Sequence, residues 1–247
     1  MIFLTLGIVS FTTTMTISTD VNQYAICDDT VHGDKEYIYF YTPSYSVDKV
    51  YLGITEEDYR DSMASFGLRQ GTVLDTTPDE LVCYDKAVVA LGDHFMERYD
   101  SDYARATAVT FFIQSAIRYT DDLVLYGADE FWARPLETVY HQKGDCEDTA
   151  VLMCSICRYM GIKAILLERP THIGVAVCVD ASGHYYEYDG EKYYSCDFSS
   201  TLPAYRIGEH MRDDMRVVGI DESHYMYYFY SAFKTIGDRV EYEVSRW

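Results

Sequence analysis

The sequence predicts an α+β fold, and three observations carry that prediction. Apolar residues recur at helical spacing in three segments between Thr77 and Gly161. Short β-rich runs follow from Ile162 to Phe198, with Asp189-Gly190 as a hairpin signal, and they read as antiparallel strands. More strand-like, tyrosine-rich runs stand towards both ends. Helices and strands therefore fall in blocks rather than alternating.

Element by element, the opening "MIFLTLGIVSFTTTMTISTD" has the apolarity of a signal h-region but lacks a basic n-region and a clean small-residue cleavage site. It reads equally as a strand, because Thr, Ile, Val and Phe favour strands. "EYIYFYTPSYSVDKVYL", Glu36 to Leu52, is β-like and broken at Pro43. A helix is expected from Thr77, with Pro78 at its first position, Asp79 and Glu80 in the first turn, and Leu81, Tyr84, Val88, Leu91 and Phe95 at helical spacing. A second starts with Ser101 or Asp102 as its cap and turns Ala108, Phe111, Phe112, Ser115 and Ile117 inward. "DDLVLYGADEFWARPLETVYHQKG" reads as a loop. The helix after Asp145 has a stripe of Val151, Leu152, Ser155, Ile156, Tyr159 and Met160, and Gly161 is placed to end it in the left-handed conformation. "IKAILLE", "HIGVAVCV", "HYYEY" and "EKYYSCDF" are the strands after it. The last stretch, through "YMYYFYSAFKTIGDRVEYEV", reads as strands with one short helix. The expected division is a β-rich extension over residues 1–75, a core over 76–210, and strands over 211–247 that complete or cover the core.

Composition narrows the function classes. Acidic residues outnumber basic ones 40 to 20, a formal charge of −20. Such a surface repels nucleic acid and anionic membrane, so neither is expected as a partner. No segment makes a firm membrane span. The seven cysteines are an odd number, which leaves at least one outside any intrachain disulfide. Their spacing is not that of a disulfide scaffold.

Three of those cysteines lie in "KGDCEDTAVLMCSICRYMG". Cys154 and Cys157 form a C-x-x-C, but a zinc site needs four ligands and no second pair lies in range. A redox pair places its reactive thiol at a helix start, whereas these two fall mid-helix, so they read as packing residues. No metal and no cofactor are expected. Cys146 differs, because it falls in the first turn of a helix, where unpaired N–H groups and the positive dipole end favour thiolate. Glu147 and Asp148 oppose that, although they are ordinary first-turn residues.

A nucleophilic thiol needs a base and the base an orienting group. His172 starts a strand that runs back towards the helix start, in phase with Gly174, Ala176 and Cys178, a face of small residues that lets the helix pack close. Asp197, one strand later, is placed to hold the imidazole tautomer. Cys146, His172 and Asp197 are thus a candidate triad. The Cys146 backbone N–H is a natural oxyanion donor. Gln142 and Trp132 are weaker candidates for a second donor, against plainer readings as a solvated loop residue and a packing residue.

"GDCEDTA", then His172, then "YYSCDFSS", resembles the transglutaminase-like superfamily. "FFIQSAIRYTDD", "FWARPLETVYHQKGDCEDTAVL", "LLERPTHIGVAV" and "YRIGE" are similar to its archaeal and bacterial cysteine-peptidase branch, so the resemblance runs from Tyr103 to Glu209. It implies a papain-like core in which the Cys-bearing helix packs on an antiparallel sheet carrying His and Asp. The chain departs from many members in having Gly174 two residues after the His, and Phe198-Ser199-Ser200 after Asp197. The expected activity is thiol-dependent acyl transfer on a protein or peptide. Hydrolysis ranks first, because the resemblance implies hydrolases among prokaryotic members. Transglutaminase cross-linking and a non-catalytic binding module are the alternatives. Oligomeric state and compartment are unspecified, with secretion or a cell-surface location open through the apolar N-terminus.

Overall fold

The computed structural model describes residues 27–28, 35–41, 46–65, 81–196, 207–209 and 215–218. The readings of residues 1–20, of Thr77–Glu80, of Asp197 and of most of the C-terminal stretch lie outside them.

An N-terminal meander comes first, β1 (Cys27–Asp28), β2 (Lys35–Tyr41) and β3 (Ser46–Leu52), with β2 and β3 paired antiparallel from Lys35↔Leu52 to Tyr41↔Ser46. Helix α1 (Glu56–Ser65) follows. Helix α2 is Lys86–Arg98, and Leu81 to Asp85, expected within it, are not helical. Its cap is Asp85, whose Oδ1 accepts the Ala87 and Val88 N–H groups at 3.0 Å each. Leu81, Val82 and Cys83 are buried without being helical, and Ser155 Oγ takes the Cys83 N–H at 3.2 Å. Helix α3 (Asp102–Ala116) begins at Ser101, whose Oγ accepts the Ala104 N–H. Every residue from Ala106 to Ala116 is buried, so this helix is core on all sides.

The stretch expected to be loop is ordered. It holds β4 (Arg118–Tyr119), α4 (Asp122–Leu125), α5 (Pro135–His141) and β5 (Lys143–Gly144), with β4 and β5 paired parallel. Pro135 opens α5, and the Glu137 carboxylate closes back on the Arg134 N–H at 3.0 Å. These elements are too short to show a period, so only caps and long-range bonds define them.

Helix α6 (Cys146–Tyr159) is the centre of the molecule, with Glu147 through Cys157 all buried. It ends as the glycine predicts. Gly161 has φ 80°, its N–H donates to Arg158 O, and the Ile162 N–H donates to Cys157 O, a Schellman closure. A five-stranded antiparallel sheet packs against it: β6 (Ala164–Arg169), β7 (His172–Val177), β8 (Tyr185–Tyr188), β9 (Glu191–Cys196) and β10 (Arg216–Val218), in the order β10-β6-β7-β9-β8. The β8–β9 turn has positive φ at both Asp189 and Gly190, as a tight hairpin with that dipeptide requires.

The main core joins Val88, Leu91 and Phe95 of α2, Phe112 of α3, Leu152 and Ile156 of α6, and Ile173, Val175 and Val177 of β7. Val50, Leu52 and Ile54 belong to the same cluster, so β3 shares the core with the helices. A smaller cluster, with Ile165, Leu167, Ala176, Tyr186 and Tyr193, occupies the other sheet face. This corrects one expectation. The helix packs on the branched Ile173-Val175-Val177 face of β7, and the small-residue face of Gly174 and Ala176 turns away from it, with Met215 against Gly174. The larger side chains give the greater apolar burial against α6.

Candidate active site

Cys146 is the first residue of α6, as expected. The approach to it is held by main-chain bonds of the β4–β5 pair: Arg118 N–H to Gln142 O at 2.8 Å and Thr120 N–H to Gly144 O at 3.0 Å. Gly144 is needed for close approach rather than for its backbone angle. A Cβ there would lie 2.7 Å from Asp148 Cβ and Oδ2, so a side chain would push the strand off the first turn of the helix. The cap residue Asp145 makes no side-chain capping bond. Thr149 Oγ1 instead donates to the carbonyls of Asp145 (2.7 Å) and Cys146 (3.1 Å).

The acidic first turn is not solvated. Glu147 is 1% exposed and Asp148 0%, contrary to their reading as ordinary first-turn residues. Asp148 Oδ1 accepts the Ala133 N–H at 2.7 Å, and Asp122 Oδ2 accepts the Phe131 N–H. Asp148 thus ties the 131–133 segment to α6, and Asp122 ties it to α4. Asp122, Asp145 and Asp148 bring carboxylate oxygens within 4.8 Å of one another, and so do Asp122, Glu130 and Glu147. One oxygen on each of Asp122, Asp145, Glu147 and Asp148 lacks a hydrogen-bond donor among the described residues. Burial is the largest cause pushing all four acids upward, with mutual repulsion added. Asp145 rises to about 9. All four carboxyls are thus driven towards their protonated forms, with Glu147 beside both Asp145 and Asp122. A hard, oxygen-seeking cation is the one metal class whose chemistry these donors match.

Cys146 is half-buried, and its Sγ lies 3.1 Å from Glu147 Oε2, a thiol donating to a carboxylate. Burial pushes this thiol up, and Glu147 and Asp145 push it further, while the Ile173 N–H works in the opposite direction. The burial of the sulfur and the carboxyls beside it thus oppose the thiolate that a helix start favours.

His172 opens β7, one residue before Ile173, just past the two-residue turn from β6. Main-chain contact brings Cys146 to this strand, because the sulfur lies against the Ile173 N–H. The register puts His172, itself half-buried, in phase with Gly174, on the face of β7 turned away from α6, so its ring meets the sulfur only by turning around the start of the strand. Asp197 lies outside the described residues, next to Cys196, the partner of Val175. Gln142 ends α5 in the left-handed conformation, φ 56°, and is half-buried rather than a solvated loop residue. Its Nε2 is buried without a hydrogen-bond acceptor among the described residues. Trp132 is wholly buried in the main core. Cys154 and Cys157 are wholly buried as well, and burial drives both thiols up, Cys154 to about 12.

The sequence reading passed over two neighbours of Cys146. Asp122 belongs to the same acid cluster. Tyr119 pairs with Gly144, and its phenol is pushed up by partial burial and then by Cys146, Asp145 and Asp121. Both stand in "RYTDD", and no spacing rule links that run to the cysteine, because a short parallel pair makes the connection.

Several solved structures are similar to this chain at low identity. A TGase shares 12% identity, with a TM-score of 0.36 over 73% of this chain, and this chain spans 44% of that one's length. A candidate cysteine protease from Cytophaga hutchinsonii shares 14%, with a TM-score of 0.39 over 81% of this chain and 72% of that one. LapG of Legionella pneumophila shares 13%, with a TM-score of 0.29 over 60% of this chain and 97% of that one. No curated protein sequence matches the chain. Residues 89–183, from within α2 to the end of the loop after β7, match the Transglutaminase-like superfamily. This segment, which carries both Cys146 and His172, is where the chain is similar to the transglutaminase-like superfamily.

Proposed function

We propose that the chain is a thiol-dependent acyl-transfer enzyme that hydrolyses peptide or amide bonds, with Cys146 as nucleophile, His172 as base and Asp197 as its orienting group. The observation that carries this is the seat of Cys146: a helix start whose sulfur lies against the Ile173 N–H, one residue from His172. Because the thiol rests protonated, the base acts during attack rather than from a standing ion pair. His172 takes the thiol proton as sulfur adds to the carbonyl, and returns it to the leaving amine. Water then resolves the acyl-enzyme. The Cys146 N–H serves the oxyanion, and Gln142 Nε2 is the second donor, with a buried N–H still to spend. Trp132, closed in the core, is left to packing.

The raised thiol is the one observation that favours a non-catalytic module instead. Alkylation with iodoacetamide at neutral pH, with the modified residue mapped, separates the two. The enzyme reading expects Cys146 to be labelled ahead of the other six cysteines, and expects His172→Ala to remove that preference. Uniform slow labelling would overturn it. Release of new amino termini from a casein substrate, set against incorporation of a labelled amine, assigns hydrolysis or cross-linking.

A further inference from the structure

The single turn α4 is turned inside out. Asp122 is 2% exposed, whereas Leu123 is 63% and Val124 77% exposed. The inversion has a local cause. Asp122 is held inward by the Phe131 N–H and by the cluster with Asp145 and Asp148. Successive helical residues differ by about 100°, so an inward Asp122 sends the next two side chains out. Tyr119, 62% exposed, stands just before them. These are three of the five large hydrophobic side chains exposed among the described residues, and the other two, Tyr51 and Tyr188, lie apart on β3 and β8. Scattered exposed apolar residues need no explanation, but a cluster at a site does.

The cluster lies beside the nucleophile. Tyr119 pairs with Gly144, two residues before Cys146, and its phenol feels the Cys146 sulfur. Helix α4 lies against β5, and Asp122 shares its oxygen cluster with Asp145, the cap of the nucleophile's helix. The exposed or half-exposed charges around it are Asp121, Asp129, Glu130 and Asp145, with Arg118 and Lys143 on the β4–β5 pair. The acids predominate, in a chain of charge −20.

We infer that Tyr119, Leu123 and Val124 form a shelf for a large apolar side chain of a polypeptide substrate, next to the bond that Cys146 attacks. The surrounding acids select basic over acidic residues beside that side chain. The inference rests on the reading of Cys146 as the nucleophile and adds the substrate class to it. Tyr119, Leu123 and Val124 set specificity and take no part in bond breaking.

Binding is measured on the full chain carrying Cys146→Ala, by fluorescence anisotropy, so that turnover is not required. The probes are labelled peptides of one length with Leu-Lys, Leu-Asp or Ser-Lys at the centre. The expected order is Leu-Lys tightest, with the other two weaker by about tenfold, a difference of 1.4 kcal/mol. Adding Leu123→Ser with Val124→Ser, or Tyr119→Ser alone, is expected to remove the preference for Leu over Ser. The iodoacetamide rate at Cys146 in otherwise native chains carrying those substitutions reports that the site is still folded. Equal affinity for all three peptides would overturn the shelf, as would a preference unchanged by the substitutions. So would self-association of the native chain that the double substitution abolishes, since a second copy would then be the occupant. Selective binding without hydrolysis by the native chain keeps the shelf and removes the enzyme reading. Hydrolysis indifferent to the substitutions does the reverse.

Discussion

At the scale of single residues, Cys146 faces two opposed influences. The helix start and the Ile173 N–H favour thiolate, while burial and Glu147, 3.1 Å from the sulfur, favour thiol. Glu147→Gln removes the nearer charge and keeps the shape. Glu147 itself is pushed up to about 8, so the effect is expected above that pH, where the carboxylate is ionised: alkylation of Cys146 there speeds up roughly tenfold, and at neutral pH it changes little. An unchanged rate above that pH would mean that burial alone sets the thiol. Cys146 was legible in the sequence because a glycine, a cap and an apolar period converge on it. Its protonation was not, since Glu147 and Asp148 look like solvated first-turn acids until the 131–133 segment is seen to cover them. The glycine before it was also legible, but for a different reason than expected: Gly144 clears Asp148.

At the scale of elements, buried carboxylates do what long hydrophobic periods do elsewhere. Asp85 caps α2 through Ala87 and Val88, and its other oxygen takes the Leu136 N–H of α5 at 2.8 Å. One side chain therefore ends two helices. Asp85→Ala is expected to cost about 2–3 kcal/mol, more than a single lost cap, and to lower the urea midpoint. Asp148 allows a sharper comparison. Asp148→Ala strands the Ala133 N–H and should cost about 1–3 kcal/mol, whereas Asp148→Asn keeps an acceptor and relieves repulsion, so it should cost little. Equal losses in the two variants would show that the bond to Ala133 is not what holds the segment. The long elements α3, α6, β6, β7 and β9 were readable from period and turn chemistry. The start of α2 was missed because Leu81 and Tyr84 keep the helical spacing, although residues 81–85 are not helical and Asp85 supplies the cap. The short elements α4, α5, β4 and β5 were missed because one or two turns carry no measurable period.

At the scale of the whole molecule, the acids around α6 link stability to pH. Asp122, Asp145, Glu147 and Asp148 all hold protons more tightly when folded than an exposed carboxyl does. Between the ordinary carboxylate range and the folded values, about 9 for Asp145, the native state binds more protons than the unfolded chain. Stability is therefore expected to fall as pH rises through that window. Urea midpoints should be higher at pH 5 than at pH 8, by on the order of 1–3 kcal/mol in unfolding free energy. A midpoint that rises with pH would show that the cluster is ionised and paired with a cation.

The sequence by itself determined the α+β order, the Cys-bearing helix with its Schellman end and Cys146 at its start, and the β8–β9 hairpin. Period, caps and turn residues are local, and local physics sets them. Only the tertiary structure decided which face of β7 meets α6, that four acids lie buried beside the sulfur, and that α4 turns Leu123 and Val124 outward. Each of these depends on residues distant in sequence competing for the same buried space. Burial changes what a carboxyl or a thiol does, and no spacing within the chain records it.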